Sequence, residues 1–198
     1  LRSFITQSSL SGIPTQINPL EILDSATRVT TLGEGGIESD RAIPREARRL
    51  HHTHFGFIDP ARTPESFHAG VDLRATLFMQ RDDAGKMYTR LRNIKTGKIE
   101  DVAVDKVENA VVAFPGETAH NKSVSALKNG VMVSVPKSQV DYELPHPNTM
   151  FSLASNLIPM PESTQGNRIL MGAKHSTQAL PLIHREQPLV QVASYNPN

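Results

Sequence analysis

Hydrophobic and polar residues alternate in short runs through the middle of the chain, from about Leu73 onward. The runs are Lys86 to Arg92, Ile99 to Val104, Ala110 to Phe114 and Val131 to Val135. Turn-forming residues separate them, at Asp83-Ala84-Gly85, Thr96-Gly97, Pro115-Gly116 and Asn129-Gly130. Because the side chains of a strand alternate between its two faces, this pattern predicts a small, mostly β module of about 70 residues.

A helix is predicted ahead of this module, from about Pro19 to Thr27. Asn18 is a residue type that caps helix N-termini, Pro19 suits the first helical position, and Glu21 stands where it can reach back to the cap. The segment from Leu32 to Gly36 follows and is rich in glycine. We predict a mobile loop there, since glycine tolerates positive φ and the close approach of another chain.

The residues between this loop and the β module follow a less regular pattern. Asp40 to Leu50 allows a helix that Pro44 interrupts. Phe57 to Gly70 contains prolines and ends in glycine, so we expect it to be irregular and extended.

The last section opens with Val140 to Leu144 and continues into Phe151 to Ile158, an apolar stretch expected to lack partners within the chain. Asn167 is then predicted to cap a helix that begins at Arg168. The helix is expected to run towards Thr177 or Gln178 and to stop before Pro181.

The composition is that of an ordinary soluble protein. A chain of 198 residues with 38% hydrophobic content can form one or two compact domains. The absence of cysteine excludes disulfides and thiolate metal sites, and no apolar run approaches the roughly 18 residues of a membrane span. The first residue is Leu1, which favours a processed chain, a fragment or a split subunit.

Positive charge is concentrated in one short segment, although the formal net charge is only +1. The segment holds Arg41, Arg45, Arg48 and Arg49, opposed by Glu46. It is either a solvated basic helix face or a set of phosphate contacts, because guanidinium groups bind phosphate oxygens bidentately.

Three histidines follow at His51, His52 and His54. In a strand only His52 and His54 would converge, and no carboxylate lies nearby before Asp59, so a metal site is not predicted. Walker-type, GxSxG and HExxH motifs are absent as well. Asp82-Asp83 is expected to form a hairpin tip, and the chain alone is expected to be inert.

Two segments about a hundred residues apart carry a family resemblance. The first is His51-His52-Thr53-His54-Phe55-Gly56 running into Thr63-Pro64-Glu65. The second is Gly166-Asn167-Arg168-Ile169-Leu170-Met171-Gly172-Ala173 running into Gln178-Ala179-Leu180-Pro181. With Asn18-Pro19-Leu20, the glycine loop and Arg41 ahead of them, they resemble the second-largest subunit of multisubunit DNA-directed RNA polymerase, the bacterial beta subunit. The resemblance covers roughly residues 5 to 75 and 140 to 191.

This resemblance implies an α+β chain of three regions. Residues 1–75 would be the fork-loop and RNA-wall region, an α/β segment that in the bacterial family includes the rifamycin region. Residues 76–139 would be a mostly-β surface lobe, and residues 140–198 would begin a double-psi β-barrel that other chain segments complete.

The resemblance also implies roles for individual residues. Arg168, and with it Asn167, would bind the incoming nucleotide. Contacts with RNA or DNA are expected at Arg28, Arg41, Arg45, Arg48, Pro64, Glu65 and Gln178. Gly33, Gly35 and Gly36 would form the fork loop, with His51, His54 and Phe55-Gly56 packed beneath it.

The expected function is to contact nascent RNA, template DNA and incoming nucleotide during DNA-templated RNA synthesis. The implied partners are the largest (beta-prime-type) subunit, the remaining beta segments, DNA, RNA and nucleoside triphosphates, with no membrane. Catalytic Mg²⁺ is expected on the largest subunit, and no metal or cofactor on this chain. The alternative is a non-catalytic module that retains the fold and binds nucleic acid or a polymerase. The presence of Arg168 and Gln178 favours the polymerase component.

Departures from the family pattern point to a divergent member. Arg62 stands where the family has a glutamate before Thr-Pro, and Ser66 follows Glu65 in place of a glycine. Lys174-His175-Ser176-Thr177 likewise replaces a more familiar Asn-Met-Gln-Arg run. These changes are typical of a divergent member such as the split subunits encoded by large bacteriophages. The expected location is the cytoplasm, which for a viral protein is the host cytoplasm or a phage compartment.

Overall fold

The computed structural model describes residues 2–8, 11–180 and 182–184. The α-helices in this part of the chain are α1 (Arg2–Gln7), α2 (Pro19–Ala26), α3 (Val104–Asn109), α4 (Glu117–His120), α5 (Leu153–Asn156) and α6 (Gly166–Gln178). The strands are β1 (Arg28–Thr30), β2 (Asp72–Arg74), β3 (Gln80–Arg81), β4 (Met87–Asn93), β5 (Ile99–Ala103), β6 (Val112–Ala113), β7 (Ser123–Lys128), β8 (Val131–Pro136) and β9 (Tyr142–Glu143). The mixture of helices and sheets agrees with the expected α+β class.

A seven-stranded sheet forms the β lobe, in the order β3-β4-β9-β6-β7-β8, with β5 paired to β4. The strand pairs are antiparallel except β6 with β9, which run parallel. The sheet includes residues beyond position 140, because β9 is the strand between β4 and β6. The division of the chain at residues 75 and 139 stays a prediction, but the lobe is completed by a strand from the region that follows it.

The predicted turns between the strands are present. Asn129 and Gly130 connect β7 to β8 with φ values of 49° and 79°, as a two-residue hairpin turn requires. Gly97 takes a φ of 71° between β4 and β5. Asp82 lies at the β3–β4 tip, where its amide donates to the Lys86 carbonyl. Strand β7 was not predicted from the sequence, because its serine and alanine residues give little hydrophobic contrast.

Two hydrophobic clusters lie on opposite faces of this sheet. Val112 belongs to one cluster and its neighbours Val111 and Ala113 to the other, as strand alternation requires. The first cluster includes Phe57, which is 1% exposed and comes from the irregular segment before the lobe. This segment therefore anchors the part of the chain before the lobe to the sheet.

Helix α2 confirms the prediction made from Asn18 and Pro19. The Asn18 Oδ1 atom accepts from the Leu20 amide at 2.9 Å, and Pro19 is the first helical residue. The Asn18 Nδ2 atom also donates to the carbonyls of Ser176 and Ala179 at 2.8 and 2.9 Å. One side chain thus caps α2 and attaches it to the end of α6.

The possible helix from Asp40 to Leu50 is wrong. Two short 3₁₀ turns, Asp40–Ala42 and Glu46–Arg48, replace it. Pro44 explains the break, since it lacks an N–H and disfavours helical geometry in the residue before it. Ile43 is accordingly extended, with φ −70° and ψ 111°.

The glycine loop after β1 is a closed turn. Gly33 and Gly35 have φ values of 109° and 82°, and a bridge joins Leu32 to Ile37. A Cβ atom at Gly36 would lie 2.2 Å from the Thr31 carbonyl oxygen, so only glycine fits without a shift. Mobility of the loop stays a prediction.

Helix α6 starts earlier than predicted, and Asn167 is not its cap. Gln165 is the N-cap residue, and its carbonyl accepts from the amides of Arg168 and Ile169. Asn167 lies inside the first turn instead. The helix ends at Gln178 as expected, while Pro181 and residues 185–191 lie outside the described part of the chain.

The expectation that Phe151 to Ile158 lacks partners is wrong. This stretch contains α5, which packs against α6 and α2. The buried Asp59 carboxylate accepts from the Ser152 amide and the Ser155 hydroxyl, both at 2.7 Å. The α5 end is thereby fixed to the segment before the lobe. The double-psi β-barrel expected from the resemblance stays a prediction.

Gly70 gives a stability test, because it combines a φ of 80° with a close neighbour. A Cβ atom there would lie 2.4 Å from the Arg48 carbonyl oxygen, whereas Gly97, at φ 71°, faces open space. Both alanine variants should lose roughly 1–2 kcal/mol for left-handed backbone. Gly70→Ala should lose roughly 1–3 kcal/mol more through overpacking. Urea unfolding of both variants measures this, and equal losses would contradict the close approach.

Candidate nucleic-acid interface

A buried carboxylate, Asp24 of α2, gathers two arginines from other parts of the chain. Arg62 approaches it with two donors, Nε at 3.2 Å from Oδ1 and Nη2 at 2.9 Å from Oδ2. Arg74 of β2 donates from Nε to Oδ2 at 2.8 Å. Asp24 is 5% exposed and Arg62 is 7% exposed, so these bonds are shielded from water. The Asp24–Arg62 pair has the two-pronged geometry that gives strong, directional ion pairs.

A second carboxylate extends this network to the surface. Asp72 of β2 accepts from Nη1 of Arg74 at 2.7 Å and from Nε of Arg28 at 3.0 Å. The side chain of Arg28 is 48% exposed. We call Asp24, Arg28, Arg62, Asp72 and Arg74 the charge network. It carries three cations against two anions, and its exposed end is a cation.

The pairing of β1 with β2 explains the position of Arg28. Arg28 stands directly opposite Arg74 in the antiparallel register. Like charges opposite each other on a sheet repel, and Asp72 offsets that repulsion by accepting from both guanidinium groups. A cation expected to meet nucleic acid is therefore held by β-sheet register.

The end of α6 is attached to the same network. The Arg62 Nη2 atom lies 3.3 Å from the Thr177 hydroxyl, and Asn18 holds the carbonyls of Ser176 and Ala179. Gln178, one of the predicted RNA contacts, is the exposed last residue of this helix. The structure thus brings Gln178 to the network that contains Arg28.

The basic segment divides into two groups. Arg48 is half-buried, and its Nη1 atom donates to the Phe67 carbonyl and, at 3.2 Å, to the Ala69 carbonyl. Arg41 and Arg45 are exposed on their 3₁₀ turns. Arg48 therefore holds a loop together, while Arg41 and Arg45 present their charge to solvent.

The Thr63-Pro64-Glu65 segment lies beside this basic segment. The His68 imidazole and the Asp40 carboxylate are 3.0 Å apart, and the Gly70 amide donates to the Thr63 hydroxyl at 2.9 Å. Pro64 is half-buried and Glu65 is exposed. The structure thus places Glu65 on the surface of a loop that Arg48 supports.

Arg168 and Asn167 lie at the other end of α6 from Gln178. Both side chains are exposed in the first turn, and the Arg168 Nη1 atom lies 3.7 Å from the Met171 sulfur. The ten residue steps from Arg168 to Gln178 span about 15 Å along the helix. The predicted nucleotide and RNA contacts are therefore at opposite ends of one rigid element.

The histidine segment packs against the β lobe. The Phe55 ring meets the Phe114 ring edge-on at 5.0 Å, and a Cβ atom at Gly130 would lie 2.8 Å from Nδ1 of His52. Burial, reinforced by the neighbouring His51, lowers the pKa of His54 below 6.5. Within the described residues no three histidine, aspartate or glutamate side chains are grouped as a metal site would need.

In the parts of the chain that the structure describes, no helix combines the length and the apolar character that crossing a bilayer requires.

The class of protein follows from similarity to known proteins. Residues 13–80 match the family described as RNA polymerase Rpb2, domain 3.

Curated relatives match nearly the whole chain. The DNA-directed RNA polymerase subunit beta of Thermus aquaticus is 33% identical over 96% of this chain and 18% of its own length. The subunit of the same name from Chlorobium luteolum is 35% identical over 95% of this chain and 15% of its own length. That from Clostridioides difficile is 31% identical over 96% and 16%.

These matches identify the chain as a segment of the RNA polymerase beta-subunit family. The segment spans less than a fifth of the length of those three relatives. The resemblance noted from the sequence is thereby confirmed.

The sequence analysis missed the charge network. Asp24, Asp72 and Arg74 were not singled out, and Arg62 was noted only as a departure from the family pattern. The departure at Arg62 could have indicated the network, because an arginine in place of a glutamate reverses the charge at that position. A buried reversed charge needs an acidic partner, and Asp24 supplies it.

The charge network can be tested by removing its buried anion. Asp24→Asn leaves Arg62 and Arg74 facing a neutral amide, and loss of one partner of a buried pair costs about 3–5 kcal/mol. The surface pair of Arg90 with Asp101 is the control, since both side chains are 48% exposed. Asp101→Asn should change the free energy of unfolding by less than about 1 kcal/mol. Equal effects of the two variants in urea unfolding would refute the stabilising role of Asp24.

His54 should make stability depend on pH. Because its pKa is lower in the folded chain, its contribution to stability is complete above 6.5 and is lost as the pH falls through 6.5 towards the folded pKa. Between about pH 7.5 and pH 5, His54→Gln should therefore flatten the decline of unfolding free energy. His120→Gln, at an exposed site on α4, is the matched control. Unchanged pH dependence in His54→Gln would contradict the effect of burial.

Proposed function

We propose that this chain works as part of a DNA-directed RNA polymerase, contacting nascent RNA, template DNA and incoming nucleotide. The similarity of nearly the whole chain to beta subunits carries the proposal. Its partners would be a largest, beta-prime-type subunit and the remaining beta segments, together with nucleic acid and nucleoside triphosphates.

The placement of the cations supports this role. Arg28, Arg41, Arg45 and Arg168 all have exposed side chains, although the chain as a whole is almost neutral. Exposed guanidinium groups bind phosphate oxygens and remain charged at any working pH. The charge network and the 3₁₀ turns give three of these cations a defined backbone position.

The chemical contribution of such a segment would be positioning. Transfer of a nucleotidyl group depends mainly on alignment of the reactants and on cations that stabilise developing negative charge. Arg168 would hold the phosphates of the incoming nucleotide from the first turn of α6, where helix amides also favour anions. The catalytic Mg²⁺ would be held by the largest subunit.

Loss of Arg168 in the assembled polymerase tests the proposal. Arg168→Ala removes a charge-assisted contact worth roughly 1.5–3 kcal/mol, so kcat/KM for nucleotide addition should fall more than about tenfold. Lys98→Ala is the control, because Lys98 is an exposed cation in the turn between β4 and β5 of the lobe. Single-nucleotide extension of an RNA primer on a DNA template gives both constants. An unchanged kcat/KM with intact assembly would remove Arg168 from the nucleotide site.

A further inference from the structure

One residue, Arg62, links three parts of the candidate interface: its guanidinium group contacts two of them, and its own segment is the third. It pairs with Asp24 of α2 through two donors and reaches the hydroxyl of Thr177 in α6 at 3.3 Å. Arg62 itself directly precedes Thr63-Pro64-Glu65. It is 7% exposed, so its orientation is fixed by these partners and not by water.

Each of the three parts is followed, within three residues along the chain, by an exposed residue that is predicted to contact RNA or DNA. Arg28 comes two residues after the end of α2, Glu65 three residues after Arg62, and Gln178 directly after Thr177. We propose that Arg62 is a positioning residue that holds Arg28, Glu65 and Gln178 in one arrangement around the RNA. This inference rests on the proposed function, and it concerns Arg62, which itself does not reach the surface.

The chemistry of the contact requires arginine. The planar fork of a guanidinium can bind both oxygens of a carboxylate and still present a donor to a third group, whereas a lysine ammonium acts as a point charge. The acceptor is also oriented, because the Thr177 hydroxyl donates to the Lys174 carbonyl at 2.8 Å. Its oxygen is thereby left to accept from Arg62.

The effect of losing Arg62 should be confined to one end of α6. The helix is held at its middle by α5 and by Ile158, which follows α5: a Cβ atom at Gly172 would lie 2.9 Å from the Ile158 side chain. Arg168 lies beyond that contact, about 15 Å from Gln178. Removing Arg62 should therefore displace the Gln178 end and leave the nucleotide end in place.

The experiment uses polymerase assembled from this chain and its companion segments, extending RNA on a DNA template. Arg62→Met should lower kcat roughly tenfold, because small misplacements of aligned reactants are costly. It should leave the KM for nucleoside triphosphate within about twofold, since Arg168 keeps its place. Thr177→Val should lower kcat in the same direction but less, and Arg62→Lys should restore only part of the loss. Arg90→Met, at an exposed ion pair of the lobe, is the control.

The outcomes separate this inference from the function on which it rests. Wild-type polymerase that makes no RNA would overturn the proposed function and the inference with it. An active wild-type enzyme together with an unchanged kcat in Arg62→Met, or with a proportional rise in KM, would overturn the inference alone. If Arg62→Met does not assemble, Thr177→Val decides, because it keeps the Asp24–Arg62 pair and removes the link between Arg62 and α6, together with one hydrogen bond to the Lys174 carbonyl within that helix.

Discussion

The buried carboxylate of Asp24 is the constraint on which the packing of the part of the chain before the β lobe depends. A lone charge at 5% exposure would be strongly unfavourable, so Asp24 requires cations from outside its own helix. Arg62 and Arg74 meet that requirement and bring with them the irregular segment before the lobe and the strand β2. Because Asp72 then binds Arg74 and Arg28, the position of one exposed cation follows from a charge buried elsewhere.

The sequence predicted those parts of the fold that local chemistry decides. Asn18 and Pro19 set the start of α2, and Asn129-Gly130 sets the β7–β8 turn, because each depends on a few adjacent residues. The start of α6 was misplaced, since Gln165 begins the helix by backbone hydrogen bonds alone and is a weak capping residue. The role of β9 was missed because a two-residue strand between β4 and β6 is defined by partners distant in sequence.

The sequence predicted those residues of the candidate site that belong to motifs resembling the family. Arg168, Gln178 and the glycine loop were found from motifs, and the structure gives their positions without testing their contacts. The charge network was not predictable in the same way, because nothing adjacent to Asp24 in the sequence shows that it is buried. Arg48 was grouped with the basic segment from the sequence. Its guanidinium group donates to backbone carbonyls of the neighbouring loop, a contact that the charge pattern did not indicate.

The geometry of α6 accounts for how one helix could serve two ligands. Its first turn presents Arg168, and its last residue, Gln178, lies beside the charge network. A helix of this length is stiff, so the separation of its ends is set by backbone hydrogen bonds and not by side-chain packing. Asn18 and Arg62 hold the last turn, and the packing of Gly172 against Ile158 holds the middle, so the two ends of the helix are held by separate contacts. The link to Arg62 would then set the position of Gln178, and the contact of Gly172 with Ile158 would set that of Arg168.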